Sequence, residues 1–199
     1  VGHDKAALLM HTDPRDENGQ DLERIIQELN LNEGQVLLSK DKVPIEHMPF
    51  LYNMADCTIN ISDAEGFGLA TLESLSCETP ILVTMTGGLQ EQVTDGKNWF
   101  GIGIEPTSKA VIGSQAVPYI YEDRINAESF VAACKQMYEM SHEERAKLGQ
   151  LGREHIMNNY NFENFNKKWA ELMMGVHEKH GSWDTRKGYA RWELKEIRG

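Results

Sequence analysis

The sequence predicts an α/β fold in which a doubly wound, mostly parallel sheet carries helices on both faces and a helical part follows at the C-terminus. Short apolar runs such as residues 57–61 (CTINI) and 80–84 (PILVT) alternate with segments of helical spacing, which is the pattern of βα units. The runs are nearly continuous, as in parallel strands that are buried on both faces. A sheet of this kind is Rossmann-like.

Five strands and three helices are expected in order along the first 125 residues. The strands are residues 6–11, 36–39, 57–61, 80–84 and 99–104. The intervening helices are residues 20–30, a turn with a short helix at 44–56, and 68–78. Residues 106–121 break this rhythm, and VPYIY at 117–121 is predicted to be an extra strand in an insertion.

The C-terminal third is predicted to be helical. Ser141 with Glu144 forms a capping box at one helix start. Apolar stripes mark the helices on either side: Phe130, Val131, Cys134, Met137 and Tyr138, then Phe162, Phe165, Trp169, Leu172, Met173 and Val176. We expect the second stripe to be core packing. The predicted division is a sheet core over 1–125, helices packing on it over 126–180, and a charged, aromatic tail over 181–199 with Trp183, Tyr189 and Trp192.

The composition restricts the class of protein. The formal net charge is −11, which argues against general nucleic-acid binding because that needs clustered Lys and Arg. The three cysteines, Cys57, Cys77 and Cys134, match no metal spacing and are expected to be buried free thiols in a reducing compartment. No signal peptide or membrane-spanning run is visible, so a cytoplasmic location is expected.

The segment that most clearly indicates a ligand site is DAEGFGLATLESLSCETPILV, residues 63–83. A strand, a glycine turn and a helix follow one another here, and ligands of parallel sheets bind at such strand ends. The free N–H groups of a helix start attract phosphate, and Gly66 and Gly68 allow close backbone approach. The pattern lacks one glycine of G-x-G-x-x-G, with Thr71 in its place, and no Walker pattern occurs.

Two carboxylates bracket this helix start. Glu65 precedes it, and Glu73 lies roughly 7–8 Å further along the axis. Carboxylates accept hydrogen bonds from vicinal hydroxyls, so acids on both sides of an anion site suit a nucleotide sugar, with its ribose, diphosphate and sugar. The alternative is that Glu65 stabilises the helix dipole and Glu73 is merely solvated.

The segment resembles the E-x7-E signature of retaining glycosyltransferases of family four, which have the GT-B fold. The match is Glu65-Gly-Phe-Gly-Leu-Ala-Thr-Leu-Glu73. LYNMADCTINIS before it is similar to the family's Y-x-x-A-D entry, and LESLSCETPILVTMTGGLQEQV after it resembles the family's E-A-x-x-x-G-x-P-V run and Gly-Gly-x-x-E loop, here Gly87, Gly88 and Glu91. YNFENFNKKWAEL resembles the C-terminal helix, so that the likeness covers about residues 6–178.

The resemblance implies a C-terminal, donor-binding domain that acts without a metal or other cofactor. Glu65 is the implied catalytic residue, which contacts the hydroxyls of the donor sugar, and Glu73 holds the ribose. Backbone N–H groups at Gly66, Phe67, Gly68 and Leu69 meet the sugar and the phosphates. The base of a UDP-, GDP- or ADP-sugar is expected near Lys42, Val43 and Pro44. The reaction implied is retaining transfer of a hexosyl group to a hydroxyl of a sugar, lipid or protein acceptor.

His11 ends the first predicted strand at the ligand edge of the sheet. It is expected either in the donor site or as a capping or packing histidine. Asp13, Asp16 and Glu17 nearby are irregularly spaced, and we expect a solvated acidic loop there and not a metal site.

The chain departs from the family pattern in three ways. Ile61-Ser62 stands where the family shows Pro-Ser, and Glu78 replaces the Gly of the G-x-P run. No arginine is followed by lysine five residues on, although an R-x4-K pair neutralises the diphosphate in many members. We therefore expect the first strand–helix unit and the N-terminal acceptor domain to lie upstream in a parent enzyme, which is membrane-associated where its acceptor is a lipid. The fragment alone is expected to be inactive.

Two other functions remain open from the sequence. A sugar-nucleotide epimerase or phosphorylase can use the same fold, and product analysis separates it from a transferase. A non-catalytic nucleotide-binding or interaction module, using the aromatic tail, is the other alternative.

Overall fold

Five short parallel strands form two separate sheets in the computed structural model, which describes residues 5–17 and 19–188. β1 (Leu8–His11) pairs only with β2 (Val36–Ser39). β3 (Thr58–Asn60), β4 (Ile81–Thr84) and β5 (Gly101–Ile104) form the second sheet in that order. The five predicted strands are therefore confirmed; β2 has the predicted bounds, and the other four strands are shorter than predicted.

Helices connect the parallel strands as expected for βα units. They are α1 (Leu22–Glu28), α2 (Met48–Met54) after a 3-10 turn at Ile45–His47, and α3 (Leu69–Ser76). α4 (Leu89–Val93), between β4 and β5, was not predicted. Its five residues are too short for the helical spacing to stand out from the surrounding loop.

The core forms around β4, which has a neighbouring strand on each side and is buried throughout. Ile81 and Val83 face a cluster with Leu75, while Leu82 faces a second cluster with Met137. Alternate residues of a strand point to opposite faces, so helices cover both faces of this sheet. The α/β prediction is confirmed.

The predicted burial of the first strand is wrong. Leu8 on β1 is 45% exposed, and Leu37 on β2 is 49% exposed. We predicted burial on both faces because these residues are apolar. In the described residues, however, β1 and β2 form a separate two-stranded sheet. Ile59 on β3, which also has one neighbour, is exposed as well.

The insertion forms an antiparallel hairpin of β6 (Ser108–Ile112) and β7 (Ile120–Arg124). The sequence predicted one extra strand there, and the structure has two. The Asp123 N–H donates to the Asp63 carbonyl at 2.8 Å, and the Thr86 hydroxyl donates to the Asp123 carboxylate at 2.7 Å. The hairpin is thus fastened to the loops that follow β3 and β4.

Three helices complete the described chain: α5 (Ala127–Glu139), α6 (His142–Asn159) and α7 (Phe162–His180). The Ser141–Glu144 capping box is confirmed, with a hydrogen bond in each direction. Asn126 and Asn161 cap the other two helices through their side-chain oxygens.

The prediction that the α7 stripe is core packing is wrong. No residue of α7 is buried, and Phe162 is 84% exposed while Trp169 is 49% exposed. Helical spacing shows that apolar residues share one face, but burial of that face depends on a partner. Trp183, in the predicted tail, is exposed, whereas Tyr189 and Trp192 lie outside the described residues.

Candidate active site

The loop from Ile61 to Gly68 joins the carboxyl end of β3 to the start of α3. Gly68 has φ +88°, and no side chain caps the helix that begins at Leu69. The first N–H groups of a helix have no partner within the helix, so the start of α3 offers free donors. Such a helix start, with its positive dipole end, favours an anion.

Glu73 lies on the exposed side of α3 and is held by Tyr52 of α2. The Tyr52 hydroxyl donates to Glu73 Oε2 at 2.7 Å. Burial, and then the hydrogen bond to Glu73, raise the pKa of the Tyr52 phenol well above its usual range. The phenol therefore stays protonated and acts as a fixed donor to the carboxylate.

Glu65 is half-buried on the other side of the helix start. Asn60, the last residue of β3, directs its Nδ2 to Glu65 Oε2 at 3.4 Å. The Asn60 Oδ1 accepts from the backbone N–H and hydroxyl of Ser62, so the amide can only present its NH₂ group to Glu65. Sequence reasoning missed Asn60, which lies in a strand that read as purely structural.

The Gly87–Gly88 segment lies directly against the Glu65 loop. A Cβ on Gly88 would lie 2.7 Å from the Phe67 carbonyl oxygen, so backbone packs on backbone here. Gln92, on α4, is fully buried and hydrogen-bonds the Phe67 carbonyl. Gln92 was also missed, although a glutamine among the buried apolar residues of LQEQV is the signal that could have found it.

The other two predicted donor residues lie at the end of β1 and in the segment that follows β2. His11 Nδ1 is 2.9 Å from Ser39 Oγ on the neighbouring strand, and Val43 is half-buried just before the 3-10 turn. Among the hydrogen bonds of the described residues, none joins either of them to Glu65 or Glu73. Glu65, the glycine loop and Glu73 belong to one continuous segment between β3 and the second turn of α3, and the donor roles of His11 and Val43 stay predictions.

Positive charge is scarce at this site. Residues 43–96 contain no Lys or Arg. Arg124, at the base of the hairpin, pairs with the carboxylates of Asp63 and Glu122, so its charge is already balanced. No group of His, Cys, Asp and Glu with metal-ligand geometry occurs in residues 5–17 and 19–188.

The three thiols are free and partly buried, where full burial was expected. Burial raises the pKa of the Cys57 thiol to about 12, so this side chain stays a neutral thiol. No helix in the described part of the chain is long and apolar enough to cross a membrane.

A family model described as glycosyl transferases group 1 matches residues 15–155. The chain belongs to this family. The match spans α1 to most of α6 and includes Glu65, the glycine loop and Glu73. The resemblance drawn from the E-x7-E segment is confirmed at the level of the family.

Two curated proteins that are similar to parts of this chain have names that agree with glycosyl transfer. N-acetyl-alpha-D-glucosaminyl L-malate synthase of Bacillus anthracis is 22% identical over 122 residues, which is 61% of this chain and 30% of that protein. D-inositol 3-phosphate glycosyltransferase of Corynebacterium urealyticum is 36% identical over 77 residues, which is 39% of this chain and 18% of that protein. The chain thus spans less than a third of these curated relatives.

Solved glycosyltransferase structures show the same fold. A sucrose-phosphate synthase from Thermosynechococcus elongatus aligns with a TM-score of 0.64 at 22% identity, covering 87% of this chain and 39% of that one. The C-terminal domain of a glycosyl transferase group 1 family protein from Francisella tularensis aligns with a TM-score of 0.50 at 23% identity, covering 71% of this chain and 62% of that one. At these identities the likeness concerns the fold.

Proposed function

We propose that the chain is the donor-binding part of a retaining glycosyltransferase whose donor is a nucleoside-diphosphate sugar. The observation that carries the proposal is the uncapped start of α3 with one carboxylate on each side, Glu65 before it and Glu73 within it. An anion site flanked by two hydrogen-bond acceptors matches a diphosphate flanked by two polyols.

Each part of the site then has one task. The N–H groups of Gly68 and Leu69 bind the diphosphate, and Glu73, held by Tyr52, accepts hydrogen bonds from the ribose hydroxyls. Glu65, held by Asn60, accepts hydrogen bonds from the hydroxyls of the donor sugar. His11 and Val43 remain proposed donor contacts, with Val43 beside the base.

In the proposed reaction, the bond between the anomeric carbon and the phosphate oxygen breaks, and its electron pair leaves on the diphosphate. An acceptor hydroxyl forms the new bond to the anomeric carbon and passes its proton to the departing diphosphate oxygen, and the anomeric configuration is retained. Fixed N–H donors stabilise the charge that grows on the diphosphate. No metal is part of the proposal.

The proposal assigns the missing cations and the acceptor site to other parts of a parent enzyme. Within the described residues β1 and β3 each pair with a single strand, so that an edge of each can accept a further parallel strand. A strand–helix unit upstream, carrying an Arg and a Lys, fits this position. A cytoplasmic location belongs to the same proposal and is supported by the three free thiols.

Calorimetric titration with UDP-, GDP- and ADP-glucose tests the donor site. We expect saturable binding for one base and a loss of about tenfold or more in Glu73→Ala, since a hydrogen bond to a charged group is lost. Glu163→Ala, an exposed acid at the start of α7, is the matched control and keeps full affinity.

Binding that Glu73→Ala leaves unchanged contradicts the proposed role of Glu73. Absence of binding in this chain and also in a chain extended upstream contradicts the donor site itself. With the extended chain, the anomeric configuration of the product, read by NMR, separates retaining transfer from epimerase or phosphorylase chemistry.

A further inference from the structure

Gln92 is a polar side chain in the middle of the apolar core. It is fully buried on α4, between the buried residues Leu89 and Val93. Burying an amide without hydrogen-bond partners costs free energy, so the partners of the Gln92 side chain have to be identified. They all go to the loop and first turn that form the candidate donor site.

The Gln92 amide has one possible orientation. Its Nε2 donates to the Phe67 carbonyl at 2.6 Å and lies 3.1 Å from the Gly68 carbonyl oxygen. Its Oε1 accepts from the Thr71 hydroxyl at 2.6 Å. Backbone carbonyls only accept, so the NH₂ group has to face them. The Thr71 hydroxyl fixes the other end of the amide.

This arrangement sets the direction of one backbone N–H group. In a trans peptide the C=O and the following N–H point in opposite directions, and the chain contains no cis peptide bond in its described part. Because Gln92 binds the Phe67 carbonyl, the N–H group of Gly68 points away from Gln92. The Gly68 carbonyl also accepts from the Leu72 N–H at 3.2 Å, so the helix itself directs the N–H of Leu69.

Gly68 is needed for the contact between Gln92 and the loop. Gly68 has φ +88°, and a Cβ on it would lie 2.6 Å from Leu89 Cδ2. The loop therefore packs closely enough on α4 for one amide to reach two successive carbonyls. An apolar residue at position 92 fills the space but removes the donor to the Phe67 carbonyl, whereas the Gly68 carbonyl keeps the Leu72 N–H and the Thr71 hydroxyl.

We propose that Gln92 is a positioning residue that aims the N–H group of Gly68 at the diphosphate of the donor. The proposal rests on the proposed function for the identity of the ligand. Gln92 does not touch the ligand and acts only through the loop. Its removal should therefore weaken recognition of phosphates and leave recognition of the nucleoside intact.

The test compares Gln92→Met with Val93→Ala. Methionine keeps the length of glutamine without its hydrogen bonds, and Val93 is a buried neighbour on the same helix that belongs to the apolar cluster. UDP, GDP and ADP are titrated alongside uridine, guanosine and adenosine, followed by NMR, at a temperature where all variants are folded by circular dichroism.

We expect Gln92→Met to lose about tenfold in affinity for the nucleoside diphosphate and to keep the affinity of wild type for the matching nucleoside. Val93→Ala should lower Tm and keep both affinities. Equal losses for the two ligands in Gln92→Met, or the same phosphate-dependent loss in Val93→Ala, would overturn the positioning role. Thr71→Val removes the hydroxyl that binds Gln92 Oε1. It should also lose affinity for the nucleoside diphosphate and not for the nucleoside, but to a smaller extent. This variant replaces Gln92→Met in the test if Gln92→Met does not fold.

A second measurement needs no ligand. Backbone ¹⁵N relaxation should show that the order parameter of Gly68 falls from about 0.85 to below about 0.6 in Gln92→Met, with no such fall in Val93→Ala. Unchanged order parameters overturn the proposal. If wild type binds no nucleoside diphosphate, the proposed function has failed, while the relaxation result still decides whether Gln92 holds the loop.

Discussion

Tyr52 and Glu73 are 21 positions apart, yet they form one functional pair through a single 2.7 Å hydrogen bond. The hydroxyl restricts the rotamers of an otherwise exposed carboxylate, and it occupies one acceptor position on Oε2. Glu73 is exposed, so its remaining acceptor positions are open to the hydroxyls of the proposed ribose.

Tyr52→Phe removes only this hydroxyl. We expect about fivefold weaker binding of the preferred nucleoside diphosphate, because Glu73 loses its orientation. A 2′,3′-dideoxynucleoside diphosphate lacks the hydroxyls that Glu73 would bind, so wild type and Tyr52→Phe should bind it equally well. A loss of the same size for both ligands would show that Tyr52 supports the fold and not Glu73.

Gly87 marks the closest backbone approach in the site. Its φ is +49°, and a Cβ there would lie 1.6 Å from the carbonyl oxygen of Glu65. Gly87→Ala should therefore displace the Glu65 loop and lower the free energy of unfolding by about 2 kcal/mol or more.

Gly66→Ala is the matched control for stability, since nothing lies within 4 Å of a Cβ at Gly66. Chemical denaturation of both variants provides the measurement. Similar stability of Gly87→Ala and wild type would contradict the packing of the two loops.

Helix α3 ends on an unusual residue. Glu78 follows the C-cap and has φ +63°, the left-handed region that costs a side chain about 1–2 kcal/mol. Glu78 stands where the family pattern has glycine, and its backbone conformation shows why glycine suits this position. The Glu78 carboxylate lies 3.7 Å from Arg153 in an exposed pair, which contributes little.

Glu78→Gly should therefore raise the free energy of unfolding by about 0.5–1 kcal/mol. This corresponds to an increase in Tm of roughly 2–4 °C, measured by scanning calorimetry. Glu78→Ala keeps the backbone strain and loses the ion pair, so it should give no increase. An equal increase in both variants would assign the effect to removal of the charge.

The turn between α4 and β5 is held by Asp95. Its carboxylate accepts from the N–H groups of Asn98 and Lys97 at 2.7 and 2.8 Å. These hydrogen bonds, with that of Asn98 first, lower the pKa of Asp95 to about 2. A lowered pKa stabilises the fold at pH values above the ordinary pKa, about 4, and this stabilisation is lost as the pH falls through about 2.

Asp95→Ala should consequently lower Tm at pH 6, and the difference from wild type should shrink as the pH falls from 4 towards 2. Thermal melts followed by circular dichroism in that pH series provide the measurement. A difference in Tm that stays constant over the series would contradict the role of the ionised carboxylate.

The molecule as a whole is unevenly packed. β4 and the clusters on its two faces hold the buried apolar residues, whereas β1 and β2 form a separate ladder with exposed leucines. α7 carries its apolar stripe on the surface. Local stability follows buried contacts and shielded hydrogen bonds, so different parts of the chain should open at different free energies.

Amide hydrogen exchange measures this directly. We expect the amides of Leu82 and Val83 to exchange slowest, and those of Leu9 and Leu37 to exchange much faster, because the β1–β2 ladder can open without disrupting β4. Equal protection of the two sheets would show that they unfold as one unit.

Much of this protein could be predicted from local patterns in the chain. The strands and the Ser141–Glu144 capping box were predicted correctly as local structure. The Glu65–Glu73 segment correctly predicted the family. Each of these features depends on residues close together in sequence. Strand propensity, helix capping and the geometry of one turn act over a few residues.

Contacts between distant segments were not predictable in this way. The hydrogen bonds of Tyr52 to Glu73 and of Gln92 to Phe67 join residues 21 and 25 positions apart, and no periodicity encodes them. The exposure of β1 and of the α7 stripe likewise depends on which surfaces meet. A pattern of apolar residues states which face of an element prefers to be buried, and the arrangement of the other elements in space decides whether anything covers it.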